Sequence, residues 1–407
     1  MGEALPLLRS APPNPGRIVL LNVKYSPNLG DGLLSECLER ELAQALPGCH
    51  VVSLDLAGRS AFAVRHGATR GTLLTLLQAI PGPLRAAAAG LALRGLVALR
   101  LRRRYRAGLR GANAVVVGGG NLFTDTDLNF PIKLSAALDE AARAGLPVAI
   151  HAVGVAPRWS RAGKRLFARG LRAALPLAAT VRDRPSCAAW QAHFAGGEAP
   201  PAAIALDPGL LAGRHFPQPE RRREGRKVGF CITDPRAVRY HSDDPAAATL
   251  EAWYPAALRA LVEAGFEVAL FTNGSPEDRA YLRSRLDEWV RRARGPVALS
   301  ASFEVPADLA ACVAGYAAVV AHRMHACVAA HAFGVPAIGL RWDVKLEGFF
   351  ALAGRSAHLL DPAKVAAGDL GARVLAAIAD PPDPAPLVAR AQAEVAALAR
   401  ALQDATS

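Results

Sequence analysis

Long uncharged apolar runs are missing from this 407-residue sequence. None of its apolar stretches reaches the roughly 18 residues that a membrane-spanning helix requires. Residues 1–16 are interrupted by prolines and lack the basic-then-apolar pattern of a secretory signal. We therefore expect a cytoplasmic protein that is either soluble or attached peripherally to the inner face of the cell membrane.

Cysteine is scarce as well, with six residues and no Cys-x-x-Cys pair. Most of these cysteines fall within apolar strand or helix patterns, which predicts reduced core residues rather than a redox pair or a disulfide framework. The sequence also contains no other constellation with the spacing of metal ligands. We expect neither a metal nor a cofactor.

Charged residues make up only 20% of the sequence and aromatic residues 6%, whereas hydrophobic residues make up 52%. This balance excludes an intrinsically disordered chain. The formal net charge is +13, which predicts a phosphate-rich partner such as an anionic membrane or a phosphorylated substrate. A biased genome would give the same arginine-rich composition. We expect no nucleic-acid partner.

Predicted strands and helices alternate along most of the chain, which indicates an α/β protein with two Rossmann-like, doubly wound domains facing across a cleft. We assign residues 1–212 to the first domain and residues 227–383 to the second. Residues 213–226 are polar and contain prolines and an arginine run, as is typical of a linker. Residues 384–407 form an apolar-periodic helix that is able to cross back to the first domain.

A basic segment at residues 67–111 interrupts the first domain, and arginines are interleaved with leucine, valine and alanine over residues 84–109. Such a pattern is typical of an amphipathic helix that lies on an anionic membrane or faces a lipid-linked substrate. An ordinary helical insertion whose arginines extend into water gives the same pattern. The sequence leaves both interpretations open.

Polar residues gather where two predicted strands of the second domain end. Arg323 and His325 follow the apolar run at residues 317–321, and Arg341 and Lys345 follow the next strand. Carboxyl ends of parallel strands share one edge, and a helix N-terminus there favours an anion. This pattern predicts a site for a small phosphorylated or carboxylated ligand, unless these are solvated loop residues.

The first domain offers a glycine-rich turn at its own strand end. Gly118, Gly119 and Gly120 close an apolar strand and precede Asn121. We expect these glycines to bring bare backbone N–H groups to the crevice. The pattern is not G-x-G-x-x-G, so a dinucleotide cofactor is not predicted.

Two charged residues follow other predicted strands of the first domain. Asp31 lies near the start of the first helix, where a helix cap is the alternative interpretation. Arg182 ends a short strand and is a candidate ligand for substrate, although an ion pair with Asp183 would also account for it.

Taken together and in this order, a set of short motifs resembles the polysaccharide pyruvyl transferase family over residues 18–354. The motifs are Asn28-x-Gly30-Asp31, Val117-Gly118-Gly119-Gly120, Thr180-Val181-Arg182-Asp183, Arg323-x-His325 and Lys345. The resemblance implies a GT-B-like fold, phosphoenolpyruvate as donor, and transfer of pyruvate as a cyclic ketal onto a lipid-linked oligosaccharide or polysaccharide. It also implies that Arg323 holds the donor, His325 is the acid, Lys345 binds an anion, and Arg182 and Asp31 belong to the site.

Two other functions fit parts of the same pattern. A GT-B glycosyltransferase would use the cleft and glycine loops to bind the diphosphate of a nucleotide sugar, although the sequence shows no sign of a base pocket. A basic, membrane-docked scaffold would account for the arginines, but it has no reason to place Arg323, His325 and Lys345 at adjacent strand ends.

Overall fold

The computed structural model describes residues 16–62, 90, 92–218, 225–236, 246–301 and 303–406. These residues contain two six-stranded parallel sheets. The strands of the first sheet are β1 Arg17–Asn22, β2 His50–Asp55, β3 Ala114–Gly118, β4 Val148–Val153, β5 Ala179–Val181 and β6 Ala202–Ile204. The strands of the second are β7 Lys227–Cys231, β8 Glu267–Phe271, β9 Val297–Leu299, β10 Ala318–Ala321, β11 Ala337–Leu340 and β12 Leu359–Leu360.

Strand order reverses once in each sheet. The first sheet runs β2-β1-β3-β4-β5-β6 and the second β12-β11-β10-β7-β8-β9. The reversals lie between β1 and β3 and between β7 and β10, and such switch points open a crevice at the carboxyl ends of the strands. The structure thus confirms the predicted α/β fold with two doubly wound, Rossmann-like units.

Helices connect the strands and cover both faces of each sheet. They are α1 Leu29–Ala45, α2 Arg102–Leu109, α3 Asn129–Arg143, α4 Arg161–Ala174, α5 Arg184–His193, α6 Ala212–His215, α7 Ala246–Glu263, α8 Pro276–Ala293, α9 Pro306–Ala314, α10 Met324–Ala332, α11 Val344–Leu352, α12 Leu370–Ala379 and α13 Ala385–Thr406. No helix among the described residues is long and apolar enough to cross a membrane.

Side-chain alternation along β1 divides the first domain into two cores. Val19 and Leu21 pack with helices α2 to α5 on one face of the sheet. Leu20 on the other face joins Leu33 of α1 in a cluster that continues into the second domain, where it includes Val328 of α10. Because one apolar cluster spans both domains, the two edges of the cleft are held together by a shared core.

The last helix, α13, packs back onto the first domain. Gln392 Nε2 donates to Glu41 Oε1 of α1 at 3.2 Å, and the Leu206 N–H donates to Glu394 Oε2 at 2.6 Å. Glu41 also accepts from His215 Nε2 at 2.7 Å, just beyond the first sheet. These contacts tie the end of the chain to the helix that separates the two sheets.

The basic segment is described only in part, because residues 63–89 and 91 lie outside the described residues, as do residues 219–224 of the linker. From residue 92 the segment is helical, passing through a π-helical turn at Val97–Leu101 into α2. Tyr105 is buried, and its hydroxyl donates to the Leu56 carbonyl at 2.6 Å. This part of the segment is therefore packed into the first domain along one side.

Candidate active site

The two switch points face each other across the cleft between the domains. His325 follows β10 of the second sheet, and Asp31 follows β1 of the first. His325 Nδ1 lies 3.8 Å from Asp31 Oδ1. A β-carbon added to Gly30 would lie only 2.6 Å from the His325 β-carbon, so glycine permits this close approach of α1 to α10.

Asp31 is not the N-cap of α1. That position belongs to Asn28, whose side-chain oxygen accepts from the Gly30 N–H at 3.2 Å. The Asp31 side chain is 20% exposed and is therefore free to face the cleft. Burial raises the pKa of its carboxyl above the ordinary value, although His325 and Ser26 act in the opposite direction. Such a carboxyl is suited to exchanging a proton with substrate.

A second carboxylate, which the sequence analysis did not assign to the site, lies on the other side of the imidazole. Asp207 Oδ2 is 3.5 Å from His325 Nε2, and the Asp207 side chain is only 7% exposed. Its other oxygen accepts from the Gly209 N–H at 2.9 Å. Burial by itself would raise the pKa of the Asp207 carboxyl, but His325, Arg182 and the Gly209 N–H lower it overall. The sequence did offer one signal for Asp207, namely its position in an Asp-Pro-Gly turn after strand β6.

Arg323 is fixed beside the start of α10 by a buried ion pair. Its Nε and Nη2 donate to Asp278 Oδ2 at 3.0 and 2.6 Å, and its guanidinium lies 5.4 Å from the centre of the Trp342 ring. Burial alone would lower the pKa of Arg323, but Asp278 raises it overall, so the group stays charged. Arg323 is thus a rigid cation rather than a mobile loop residue.

Arg182 and Asn121 of the first domain converge on Gly154. A β-carbon on Gly154 would lie 2.7 Å from Arg182 Cζ and 2.7 Å from Asn121 Oδ1. Arg182 Nε donates to Asp183 Oδ2 at 3.2 Å, while its buried Nη2 has no hydrogen-bond partner among the described residues. A register shift in β4, with Ala152 at φ 51°, locally redirects this strand end.

Two glycines of the glycine turn are needed for packing. A β-carbon on Gly118 or Gly119 would lie 2.6 Å from Leu38 Cδ2 or 2.3 Å from Leu34 Cδ1, so these glycines let α1 approach β3. The Gly119 N–H already donates to the His151 carbonyl at 3.1 Å. It is therefore not the bare donor that the sequence predicted. Gly120, at φ 82°, turns the chain towards Asn121.

Residues of both domains line a small cleft next to the contact between Asp207 and His325. They include Arg182, Asp183, Asp207, Met324, Lys345 and Phe349. Lys345 Nζ lies 3.3 Å from Asp343 Oδ2, and its side chain is 34% exposed. Among the described residues, no group of three or more His, Cys, Asp and Glu side chains is placed to hold a metal ion.

The structure does not bring Arg341 to this cleft. Its Nε donates to Glu347 Oε1 at 2.6 Å, and its Nη1 lies 3.9 Å from Asp361 Oδ2 beyond β12. These acidic neighbours at the outer edge of the second sheet hold the Arg341 side chain away from the cleft. His322 is also separate from the cleft, because its Nδ1 contacts the Leu340 carbonyl at 2.9 Å and burial lowers its pKa to about 3.

The family model described as polysaccharide pyruvyl transferase matches residues 28–344, a stretch that includes Asp31, Arg182, Asp207, Arg323 and His325. The chain belongs to the polysaccharide pyruvyl transferase family. It is therefore a transferase, as the motifs predicted. Lys345 lies just beyond the matched stretch. No curated protein sequence matches this family member.

Solved structures similar to this family member share its fold at low sequence identity. The UDP-GlcNAc 2-epimerase of Methanocaldococcus jannaschii, in complex with UDP-GlcNAc and UDP, has a TM-score of 0.54 and 10% identity, over 95% of this chain and 99% of that chain. TcCGT1 in complex with UDP has a TM-score of 0.52 and 9% identity, over 96% and 99% of the two chains. At such identities the likeness shows the GT-B-like fold alone.

Proposed function

We propose that this transferase moves the enolpyruvyl group of phosphoenolpyruvate onto a sugar of a cell-surface or exopolysaccharide precursor as a cyclic ketal, with release of phosphate. The observation that carries the proposal is the placement of His325 between Asp31 and Asp207, next to a cleft that Asp207, Arg182 and Lys345 line. Titratable groups of both domains thus meet at His325, and two cations lie in the adjoining cleft.

The reaction needs a proton at the methylene carbon of the donor. In the proposal His325 supplies this proton, and oxocarbenium character develops at C2. A sugar hydroxyl attacks C2, its proton passes to Asp31, and the bond from C2 to the phosphate oxygen breaks. A second hydroxyl then attacks C2 and closes the ketal; its proton goes to the released phosphate, and the proton on Asp31 returns to His325. No electrons are transferred, so the proposal invokes no cofactor, and phosphoenolpyruvate is a donor substrate.

The cations give the donor its orientation. Arg323 is held rigidly by Asp278, which suits a clamp for phosphate or carboxylate. Lys345 and Arg182 line the cleft from opposite domains, and the buried Nη2 of Arg182 would gain a partner from a bound anion. These charges would also stabilise the phosphate as it leaves.

Thermal-shift titration tests the donor directly. We expect phosphoenolpyruvate, and not UDP- or GDP-sugars, to raise the melting temperature, because only a ligand of the folded state stabilises it. Stabilisation by a nucleotide sugar alone would support the glycosyltransferase alternative instead. The acceptor is identified by incubating the protein with phosphoenolpyruvate and lipid-linked glycans and weighing the products.

We further propose that the described end of the basic segment docks on the inner, anionic face of the membrane, where lipid-linked acceptors reside. Leu96 and Leu99 are 43% and 75% exposed, and Arg94, Arg100 and Arg103 are exposed on the same segment. Apolar side chains among cations are typical of an interfacial helix.

Two arginines of the segment do not belong to this surface. Arg102 Nη1 and Arg106 Nε donate to Glu140 of α3 at 2.9 and 3.1 Å. These two side chains fasten the segment to the first domain, so they do not contribute to a membrane surface.

A further inference from the structure

We infer that Asp207 is a positioning residue that accepts a hydrogen bond from His325 Nε2, which fixes the ring and leaves Nδ1 as the nitrogen that transfers the proton. This inference rests on the proposed role of His325 as the acid. Neither the family motifs nor the strand-end pattern assigned Asp207 to the site.

Two buried polar atoms meet at this contact. Asp207 Oδ2 and His325 Nε2 are both buried, and neither has a hydrogen-bond partner elsewhere among the described residues. They lie 3.5 Å apart and come from different domains. Buried polar groups without partners are costly, and catalytic contacts often shorten when substrate binds. Pairing with each other is the arrangement that satisfies both atoms.

Neither side chain is free to turn away. The Gly209 N–H holds the other oxygen of Asp207 at 2.9 Å, as part of the cap of the turn Pro208–Leu211. On the opposite side, Gly30 packs so closely on the His325 β-carbon that no side chain would fit there. The imidazole is therefore clamped between a fixed carboxylate and the start of α1.

Charged groups of both domains surround His325. Arg323 precedes it by two residues at the start of α10 and is paired with Asp278. Asp31 faces Nδ1 and Asp207 faces Nε2, so each ring nitrogen has a carboxylate. Arg182 and Lys345 lie farther along the cleft.

The two carboxylates have different roles. Burial raises the pKa of Asp31, whereas the contacts of Asp207 lower its pKa, so Asp207 is the lasting anion and Asp31 the group that exchanges protons. A lasting anion at Nε2 keeps the ring in one orientation, while Nδ1 remains on the side of Asp31.

Nuclear magnetic resonance of the histidine rings in the full-length protein tests the inference without substrate. The nitrogen shifts of the neutral His325 ring should show the proton on Nε2, and Asp207→Asn is expected to weaken that preference, because the carboxylate acceptor is lost. Asp207→Glu should restore part of the preference, and Asp380→Asn, which changes an exposed carboxylate elsewhere, should leave it unchanged. His325→Gln assigns the resonance.

Kinetic measurements then distinguish a positioning role of Asp207 from a purely structural role. Asp207→Asn should reduce kcat by on the order of a hundredfold while the KM for phosphoenolpyruvate changes little. An unchanged tautomer preference or an unchanged kcat in Asp207→Asn would overturn the inference; if that protein does not fold, Asp207→Ala is judged by the same criteria. A wild-type protein inactive with phosphoenolpyruvate would refute the proposed function instead, whatever the spectra show.

Discussion

Replacement of Gly154 by alanine is the sharpest perturbation of the first-domain side of the cleft. The new β-carbon would lie 2.7 Å from Arg182 Cζ, Arg182 Nη2 and Asn121 Oδ1. Ordinary contacts between such atoms are about 3.5 Å, so both side chains, or the backbone at Gly154, must move by roughly 0.8 Å. A displacement of about 1 Å in a substrate-positioning group costs on the order of a hundredfold in rate, equivalent to roughly 2.7 kcal/mol.

The assay for Gly154→Ala is phosphate release with phosphoenolpyruvate and acceptor, combined with thermal unfolding. Overpacking should destabilise the fold by about 1–3 kcal/mol, which must be measured separately from the loss of kcat/KM. Gly368→Ala is the matched control, because an added β-carbon there meets no atom within 4 Å. A folded Gly154→Ala protein with wild-type kcat/KM would refute the assignment of Arg182 and Asn121 to the site.

Three further predictions concern the Arg323 clamp, the contacts of Glu41 that tie α1 to α13 and His215, and the membrane surface. Arg323→Lys should weaken phosphoenolpyruvate binding at least about tenfold in direct titration, because lysine cannot keep the two bonds to Asp278 Oδ2. Glu41→Gln should cost about 1–3 kcal/mol of unfolding free energy at neutral pH in urea titrations. The hydrogen bond from His215 lowers the pKa of Glu41. The stability difference between the wild type and Glu41→Gln should therefore vanish as the pH falls through the pKa of Glu41 in the folded state. Reversal of Arg94, Arg100 and Arg103 to glutamate should abolish salt-sensitive sedimentation with anionic vesicles and spare activity on a soluble acceptor.

Each of these predictions has a clear contrary result. Unchanged donor affinity in Arg323→Lys would mean that Arg323 serves the fold alone. A stability difference for Glu41→Gln that persists in acid would show that the ionised carboxylate is not the cause. Reversal of the exposed Arg283, Arg291 and Arg294 is the charge-matched control for the vesicle assay. If both reversed proteins lost vesicle binding equally, that binding would depend on net charge and not on this surface.

Much of the second domain could be predicted from local sequence patterns. The apolar run before Arg323, the helix from Met324 and the strand that follows Gly334 are all short-range signals, and the structure confirms each element. The alternation of strands and helices likewise predicted two Rossmann-like units, because each unit is built from neighbours in sequence.

Contacts between distant elements could not be predicted in the same way. Asp207 meets His325 only because the two domains close on each other, and Gly154 matters only because Arg182 of the next strand lies against it. Arg341 was expected in the cleft, but its acidic neighbour beyond β12 is known only once the order of the sheet is known. The partners of Arg102 on α3 are equally distant in sequence.

Mass spectrometry of the product formed in deuterium oxide tests the central claim most directly. With phosphoenolpyruvate and lipid-linked glycans as substrates, the account predicts a pyruvyl ketal whose methyl group carries deuterium from solvent, with phosphate released in equal amount. His325→Gln should form little of this product while still binding the donor. A product methyl free of solvent deuterium, or glycan extension that requires a nucleotide sugar, would contradict the account.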